Sequence, residues 1–321
     1  MIHVLFTGGT ISMRYDAASG GNVPTHGGEA LVALAPELPL ISELRVENWA
    51  RMPACHLTPS DLWRLRERVR ALQADPAVDG IVITHGTDIL EETAYLLDRT
   101  LAPRVPVVLT GAMRTSDDAE WDGARNLTDA VRVAADAQAA GRGALVVFAG
   151  HVWQGLEAVK RDTVVLDAFA APFGAALGSV DAEGVHWTRR ASQREPLSPT
   201  ALVARVALVP MVVGDDGQVL DAQREAHDGV VIEAFGSGNL PPNAVPAIGR
   251  WLEAGKPVVL SSRCPEGMVT PVYGFEGGGA RTVAMGVTPA GPRTPSQARW
   301  ELTIALSAGA PYGAGLATVG A

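Results

Sequence analysis

Three short stretches carry residue types that can do chemistry. The first, ITHGTDILEETAYLLD (Ile83–Asp98), runs from an apolar segment into a helical pattern, with His85, Gly86, Thr87 and Asp88 at the joint. Two readings of it stand side by side. Asp88 followed by Glu91 fits a capping box, and Asp is a strong N-cap residue. Equally, a helix N-terminus offers free N–H groups and positive partial charge, so it can hold a carboxylate while Asp88 meets an ammonium. An amino acid carries both groups, and Thr87 sets a hydroxyl beside them. The second stretch, TGGTIS (Thr7–Ser12), follows the first apolar run. Its glycines permit a sharp turn and close approach of backbone to a ligand, and its threonines supply hydroxyls. A plain Gly-Gly turn is the alternative. The third stretch, GHVWQGLEAVKRDT (Gly150–Thr163), contains Lys160. Only two of the 26 basic residues are lysines, Lys160 and Lys256. A lysine can lose its proton in a suitable site and an arginine in practice cannot, so Lys160 is marked for chemistry, against the ordinary case of a surface lysine.

Several chemistries are absent from the pattern. TGGTIS lacks the G-x-G-x-x-G spacing of a dinucleotide site and the Gly-Lys-Ser/Thr of a phosphate loop. There is no G-x-S-x-G elbow. His56, His85 and His151 have no partner at metal-ligand spacing, so neither a metal nor another cofactor is expected. His85, the last polar residue of an apolar strand, reads as a hydrogen-bonded core histidine. Cys55 and Cys264 cannot form a disulfide framework.

The elements that must position these groups follow from the pattern. The chain has 321 residues, 47% hydrophobic and 19% charged, which predicts two packed domains. A net charge of −9 offers no broad basic surface for nucleic acid. No apolar run is long enough to span a membrane, and the opening MIHVLFTGGT lacks a signal-peptide pattern, so a cytoplasmic protein is expected. Short apolar runs at Ile2–Thr7, Leu44–Trp49, Gly80–Thr84, Val105–Thr110 and Gly143–Ala149 read as buried strands. Helical patterns lie between them at Gly28–Leu34, Pro59–Gln73, Ile89–Leu101 and Ala124–Ala140. Thr58 and Pro59 form a helix start. This alternation predicts an α/β fold with a doubly wound, mostly parallel sheet and right-handed crossovers. Val152–Ser179 reads as a hairpin plus loops, and Thr188–Thr200 as the polar core of a linker. A second alternation follows, while EGGGARTVAMG near Gly277 reads as a loop. The expected division is a larger N-terminal α/β catalytic domain at 1–187, a linker at 188–202 and a smaller C-terminal α/β domain at 203–321.

Together the residues resemble the bacterial L-asparaginase family over nearly the whole chain. TGGTI and THGTDILEETAYLLD are its two signature segments. LTGAMR (Leu109–Arg114), DGARNL (Asp122–Leu127), GSGNLP (Gly236–Pro241) and SSRCPEG (Ser261–Gly267) match as well. The resemblance implies hydrolysis of the side-chain amide of L-asparagine through a threonine acyl-enzyme. It makes Thr10 the primary nucleophile and Thr87, Asp88 and Lys160 a second threonine triad. A hydroxyl is a poor nucleophile without a base, and a deprotonated Lys160 acting through Thr87 could serve. The sequence leaves open which threonine attacks first. The substrate would lie among Gly9, Ala54, Cys55, Gly86, Thr87, Asp88 and Ala112, with N–H groups near Ala112 and Thr87 facing the oxyanion. A neighbouring subunit of a homotetramer, a dimer of intimate dimers, would add Ser237, Tyr273 and Glu276.

Three departures concern the substrate clamp. Gly21 stands where the family usually has a loop tyrosine, and Tyr15, the only tyrosine nearby, is taken as the catalytic candidate in its place. Ala54 or Cys55 replaces the usual carboxylate-binding serine. Gly274 or Tyr273 falls at the partner's acidic position, with Glu276 close behind. These leave a glutaminase-asparaginase, an amidase for another amide, or a non-catalytic amino-acid sensor as alternatives.

Overall fold

The computed structural model describes residues 1–316. The chain divides into two compact units between Pro196 and Leu197.

In the first unit β1 (Ile2–Gly8) is wholly buried. A hairpin of β2 (Met13–Asp16) and β3 (Gly21–Pro24) follows, then α1 (Gly28–Ala33), α2 (Leu38–Ile41), β4 (Leu44–Met52) and α3 (Pro59–Gln73). Thr58 and Asp61 close a capping box at the start of α3, with Pro59 at its first position as the sequence predicts. Next come β5 (Gly80–Thr84), α4 (Leu90–Thr100), β6 (Val107–Thr110), α5 (Gly123–Ala135) and β7 (Ala144–Phe148). β6 begins two residues later than its apolar run because Pro106 has no N–H to give the ladder; its carbonyl still accepts from Ile81. The last strands are β8 (His151–Gln154), β9 (Val159–Lys160), β10 (Phe169–Ala170), β11 (Gly178–Val180) and β12 (Val185–Trp187).

Eight strands form the main sheet in the order β12-β11-β8-β7-β6-β5-β1-β4. It is parallel from β4 to β7, and β8, β11 and β12 extend it antiparallel. The region read as a hairpin plus loops thus supplies two strands of the main sheet, β8 and β11, and the separate β9–β10 ribbon. Alternate side chains go to opposite faces, as period 2 requires. Val4, Phe6, Val82, Val108, Leu145 and Val147 pack with α1, α2 and α5. Leu5, Ile81, Ile83, Leu109 and Val146 pack with α3 and α4. Each such buried apolar side chain is worth about 1.5–3 kcal/mol over exposure.

The faces correct one expectation. β5 to β6 and β6 to β7 step in the same direction across the sheet, yet α4 and α5 lie on opposite faces. Both crossovers therefore cannot be right-handed. The connections through α1–α2, α3 and α4 share one hand, and the one through α5 has the other. The consequence is functional: α5 starts beneath the carboxyl ends of β5 and β6 and supports the loop there.

β1 lies between β4 and β5, and its outgoing connection takes the face opposite to that leaving β5. This is the switch point of an open α/β sheet, where a crevice opens at the carboxyl ends of the strands. TGGTIS leaves β1 there and HGTD leaves β5.

Residues 188–196 are pinned to this unit. Arg194 pairs at 2.6 Å with buried Asp98 and also donates to its carbonyl, while Ser192 N–H donates to Gln154. Arginines that suggest a solvated tether are here spent on buried carbonyl and carboxylate oxygens.

The second unit carries β13 (Val206–Pro210), α6 (Gln218–Gln223), β14 (Gly229–Ala234), α7 (Val245–Glu253), β15 (Val258–Ser262), α8 (Gly279–Ala284), β16 (Thr288–Pro289) and α9 (Pro295–Ser307). Its sheet is parallel in sequence order. α6 and α7 cover one face and α9 the other. α8 lies within the segment read as a loop. Its glycines hide it from propensity, but Gly279 packs against Pro271 and buried Thr282 bonds back to Gly279 O at 3.0 Å.

Candidate functional site

The turn after β1 is held by its backbone. Thr7 Oγ1 donates to Thr84 O at 2.8 Å, tying β1 to β5 at their ends. Gly8 and Gly9 both have positive φ, +106° and +85°. A single 3-10 turn, Thr10–Ser12, follows, closed by the Ser12 N–H and hydroxyl on Gly9 O. Gly9 meets the other loop directly: a Cβ there would stand 2.4 Å from Gly86 Cα and 2.5 Å from Gly86 N. Half-buried Thr10 is thereby placed next to the backbone contact between the two loops.

The loop after β5 is fixed from below. His85 N–H donates to Thr110 O at 2.7 Å. The buried His85 ring contacts Gly86 O through Nδ1 at 2.9 Å and the Thr93 hydroxyl through Nε2 at 3.1 Å. Burial holds its pKa down to about 4, against a weaker opposing pull from the Gly86 carbonyl, so the ring is neutral and structural. Gly86 is hemmed in by both Ala54 and Gly9: a Cβ there would stand 2.6 Å from Ala54 Cβ and 3.3 Å from Gly9 Cα. The Gly111 backbone approaches His85 O and the Thr87 methyl. That third loop is braced by α5: Asp122 accepts from the Met113 and Arg114 N–H groups, and Asn126 Nδ2 donates to Gly111 O.

Lys160 reaches in from β9. Its Nζ donates to Thr87 Oγ1 at 2.8 Å and to Asp88 Oδ1 at 3.2 Å. Thr87 is 4% exposed and the Asp88 side chain 65% exposed, so the triad spans from the interior to solvent. The capping-box reading of Asp88 is corrected: α4 begins at Leu90, its N-cap is Ile89, and no side chain caps it. Asp88 lies one residue too early and is engaged with Lys160. Glu91 does not reach back to the helix start; its carboxylate accepts the backbone N–H of Lys160.

The structure thus brings Gly9, Gly86, Thr87, Asp88, Ala54 and Lys160 together, with Thr10 beside Gly9 and buried Ala112 beside Gly111. Cys55, in the 3-10 turn with Ala54, is exposed. Tyr15 is not brought in. It lies on the β2–β3 hairpin with 62% of its surface exposed, opposite Asn22, and its N–H is taken by Asp117. Nearness in sequence misleads because β2 turns outward directly after the 3-10 turn. Gly21, opposite Asp16, has open space around it. In the second unit Ser237 O accepts from Thr270 N–H, Tyr273 lies against Phe275 with ring centroids 5.5 Å apart, and Glu276 is exposed. Among the described residues, Asp181, Glu183 and His186 alone bring three metal-ligating atoms together, the two acids on the turn between β11 and β12 and His186 in β12, all exposed.

Glu91, which the sequence marks only as a capping-box partner, instead holds the Lys160 backbone. Its partner is 69 positions away, and no local pattern shows it. Burial raises its carboxyl to about 7; the Lys160 amide opposes this, Glu92 adds to it, and the Lys160 charge also opposes it. A folded pKa above the ordinary 4.5 means the folded state keeps a proton that the unfolded chain gives up. That stabilisation is complete below pH 4.5 and is lost as the pH rises through 7. Glu91→Gln does not titrate, so its stability relative to the native protein should improve by about 2–3 kcal/mol from pH 5 to pH 8. Urea unfolding at both pH values and fixed protein concentration checks this; an unchanged difference contradicts it.

The family model described as asparaginase, N-terminal, matches residues 1–193, and that of the glutaminase/asparaginase C-terminal domain matches residues 205–313. A probable L-asparaginase of Deinococcus radiodurans is 38% identical over 313 residues, 96% of this chain and 93% of its own. A glutaminase-asparaginase of Pseudomonas aeruginosa is 33% identical over 276 residues, 82% of this chain and 75% of its own. The crystal structure of a probable cytoplasmic L-asparaginase from Campylobacter jejuni superposes with a TM-score of 0.84 at 28% identity, covering 95% of this chain and 94% of that one.

Proposed function

The chain belongs to the asparaginase family of amidohydrolases, and from that premise we propose that it is an L-asparaginase working through a threonine acyl-enzyme. The Thr10 oxygen attacks the side-chain carbonyl carbon of L-asparagine, and the carbonyl oxygen becomes an oxyanion facing the backbone N–H groups near Thr87 and Ala112. Collapse of this intermediate breaks the carbon–nitrogen bond and releases ammonia, which carries off a proton. Water then adds to the threonine ester, and aspartate leaves as Thr10 recovers its proton. Both additions need a base. Thr87 takes the proton and passes its own to Lys160 Nζ, and Asp88 stabilises the ammonium so formed. The observation that carries this reading is the Lys160 Nζ contact with both Thr87 Oγ1 and Asp88 Oδ1.

The clamp supports a second substrate. Ala54 is buried and offers no hydroxyl, and the Pseudomonas relative bears the name glutaminase-asparaginase. Glutamine is therefore the competing amide. The working form is a homotetramer in which Ser237, Tyr273 and Glu276 of one subunit complete a neighbour's site. A cytoplasmic location accords with the Campylobacter relative, itself named a probable cytoplasmic L-asparaginase; no helix among the described residues is long and apolar enough to cross a membrane.

The test is steady-state ammonia release from L-asparagine, L-glutamine and their D-isomers, with the same preparation sized in solution. L-asparagine should have the highest kcat/KM, from a tetrameric species. Preference for L-glutamine moves the chain to the second reading. Tight aspartate binding with no ammonia from any amide makes it an amino-acid sensor instead.

A further inference from the structure

Lys160 does not belong to the eight-stranded sheet. It ends β9, a two-residue strand whose only strand partner among the described residues is the equally short β10. A ribbon this small has little stiffness of its own, yet the lysine's four-carbon stem must deliver Nζ within hydrogen-bond distance of Thr87. Both ends of the residue are instead caught by one stretch of chain, 87–91. The side chain bonds to Thr87 and Asp88, and the main-chain N–H to the Glu91 carboxylate in the first turn of α4. α4 is a firm base for this. Its apolar side lies in the core with Leu90, Ala94 and Leu97 buried, and Thr93 bonds to the His85 ring below the same loop.

We propose that Glu91 is a positioning residue for the amidase reaction, a strut from α4 whose carboxylate oxygen fixes the Lys160 backbone and so sets the reach of Nζ to Thr87. This rests on the function proposed above, in which Lys160 receives the proton. Glu91 touches no reacting atom; it acts through where it holds the lysine. An acceptor oxygen at that place is what the strut requires, and a charge is not. Without it, the Lys160 N–H loses its acceptor, and the hold of residues 87–91 on Lys160 passes to the flexible stem. A displacement of about 1 Å at a catalytic group costs on the order of 100-fold in rate.

The test compares Glu91→Gln, whose amide oxygen can still accept the N–H, with Glu91→Met, which has similar bulk and no oxygen. With L-asparagine as substrate, the Met variant should lose ~10–100-fold in kcat with KM within about threefold, while the Gln variant keeps kcat within about threefold. A second readout needs no turnover. The chain has only two lysines, so selective ¹⁵N-lysine labelling yields two backbone amide signals. The Lys160 amide proton should move upfield in the Met variant and stay near its native position in the Gln variant. Native kcat in the Met variant overturns the proposal. So does equal loss in both variants, which would point to the charge, or a loss seen in KM alone. If the Met variant does not fold, the Gln variant decides: native kcat supports the strut and a tenfold loss rejects it. Absence of amidase activity in the native protein would instead reject the proposed function, while the amide signals would still report the strut.

Discussion

Thr10→Ala should lower ammonia release from L-asparagine by about ten-thousand-fold or more, with the fold intact. The magnitude is that of removing a covalent nucleophile, for which the remaining site offers only binding and oxyanion stabilisation. The expectation of an intact fold is structural. The turn carrying Thr10 is closed by Ser12 through its N–H and hydroxyl on Gly9 O, and Gly9 and Gly8 set its path. Among the described residues the Thr10 hydroxyl has no hydrogen-bond partner, so its loss orphans nothing. Thr87→Ala is a different experiment, because it takes a partner from Lys160 Nζ. The pair therefore assigns the order of attack. If Thr10 forms the ester, Thr10→Ala abolishes the acyl-enzyme that rapid quench and intact mass detect. If Thr87 forms it, that species survives in Thr10→Ala and disappears in Thr87→Ala. Thr10→Ala activity within tenfold of native, at native melting temperature, would remove Thr10 as nucleophile.

How far the sequence could be read follows from how local each contact is. Strands buried on both faces announce themselves as short apolar runs, and Gly80–Thr84 and the helix Pro59–Gln73 fall where the pattern places them. The position of α5 does not. An amphipathic helix reads the same whichever face of the sheet it covers, so the change of hand after β6 is invisible in one dimension. α8 fails for the opposite reason: the close approach of Gly279 to Pro271 and the full burial of Thr282 override poor intrinsic propensity. In the site, the scarcity of lysine marks Lys160 and the signature segments mark Thr10, Thr87 and Asp88. Glu91 is legible only as one of two acids opening a helix, because its role depends on a strand 69 residues away. Tyr15 shows the converse error, since a residue five positions from Thr10 faces solvent.

Gly9→Ala should damage stability and activity together, and its cause can be separated into two parts. Gly9 has φ +85° and ψ 177°, a region that residues with a Cβ avoid at a cost of about 1–3 kcal/mol. The added Cβ would also stand 2.4 Å from Gly86 Cα, 2.5 Å from Gly86 N and 3.0 Å from His85 C. These are backbone atoms, and they cannot swing aside as the end of a side chain can. The His85 segment is anchored by its N–H on Thr110 O and by its buried ring, and Gly86 is backed by Ala54. The loop bearing Thr10 must therefore retreat by about 1 Å from the loop bearing Thr87, a displacement worth on the order of 100-fold in rate. With loss of oxyanion alignment added, kcat/KM should fall roughly a thousandfold. Stability should fall by roughly 3 kcal/mol. Gly20→Ala isolates the conformational part: Gly20 has φ +69° but nothing within 4 Å of its Cβ position. It should cost about 1 kcal/mol and leave kcat unchanged. Urea unfolding and steady-state kinetics on the two variants read both effects. If Gly9→Ala matches Gly20→Ala in both measurements, the two loops are not in the contact that puts the threonines in one site, and the catalytic assignment of the pair fails with it.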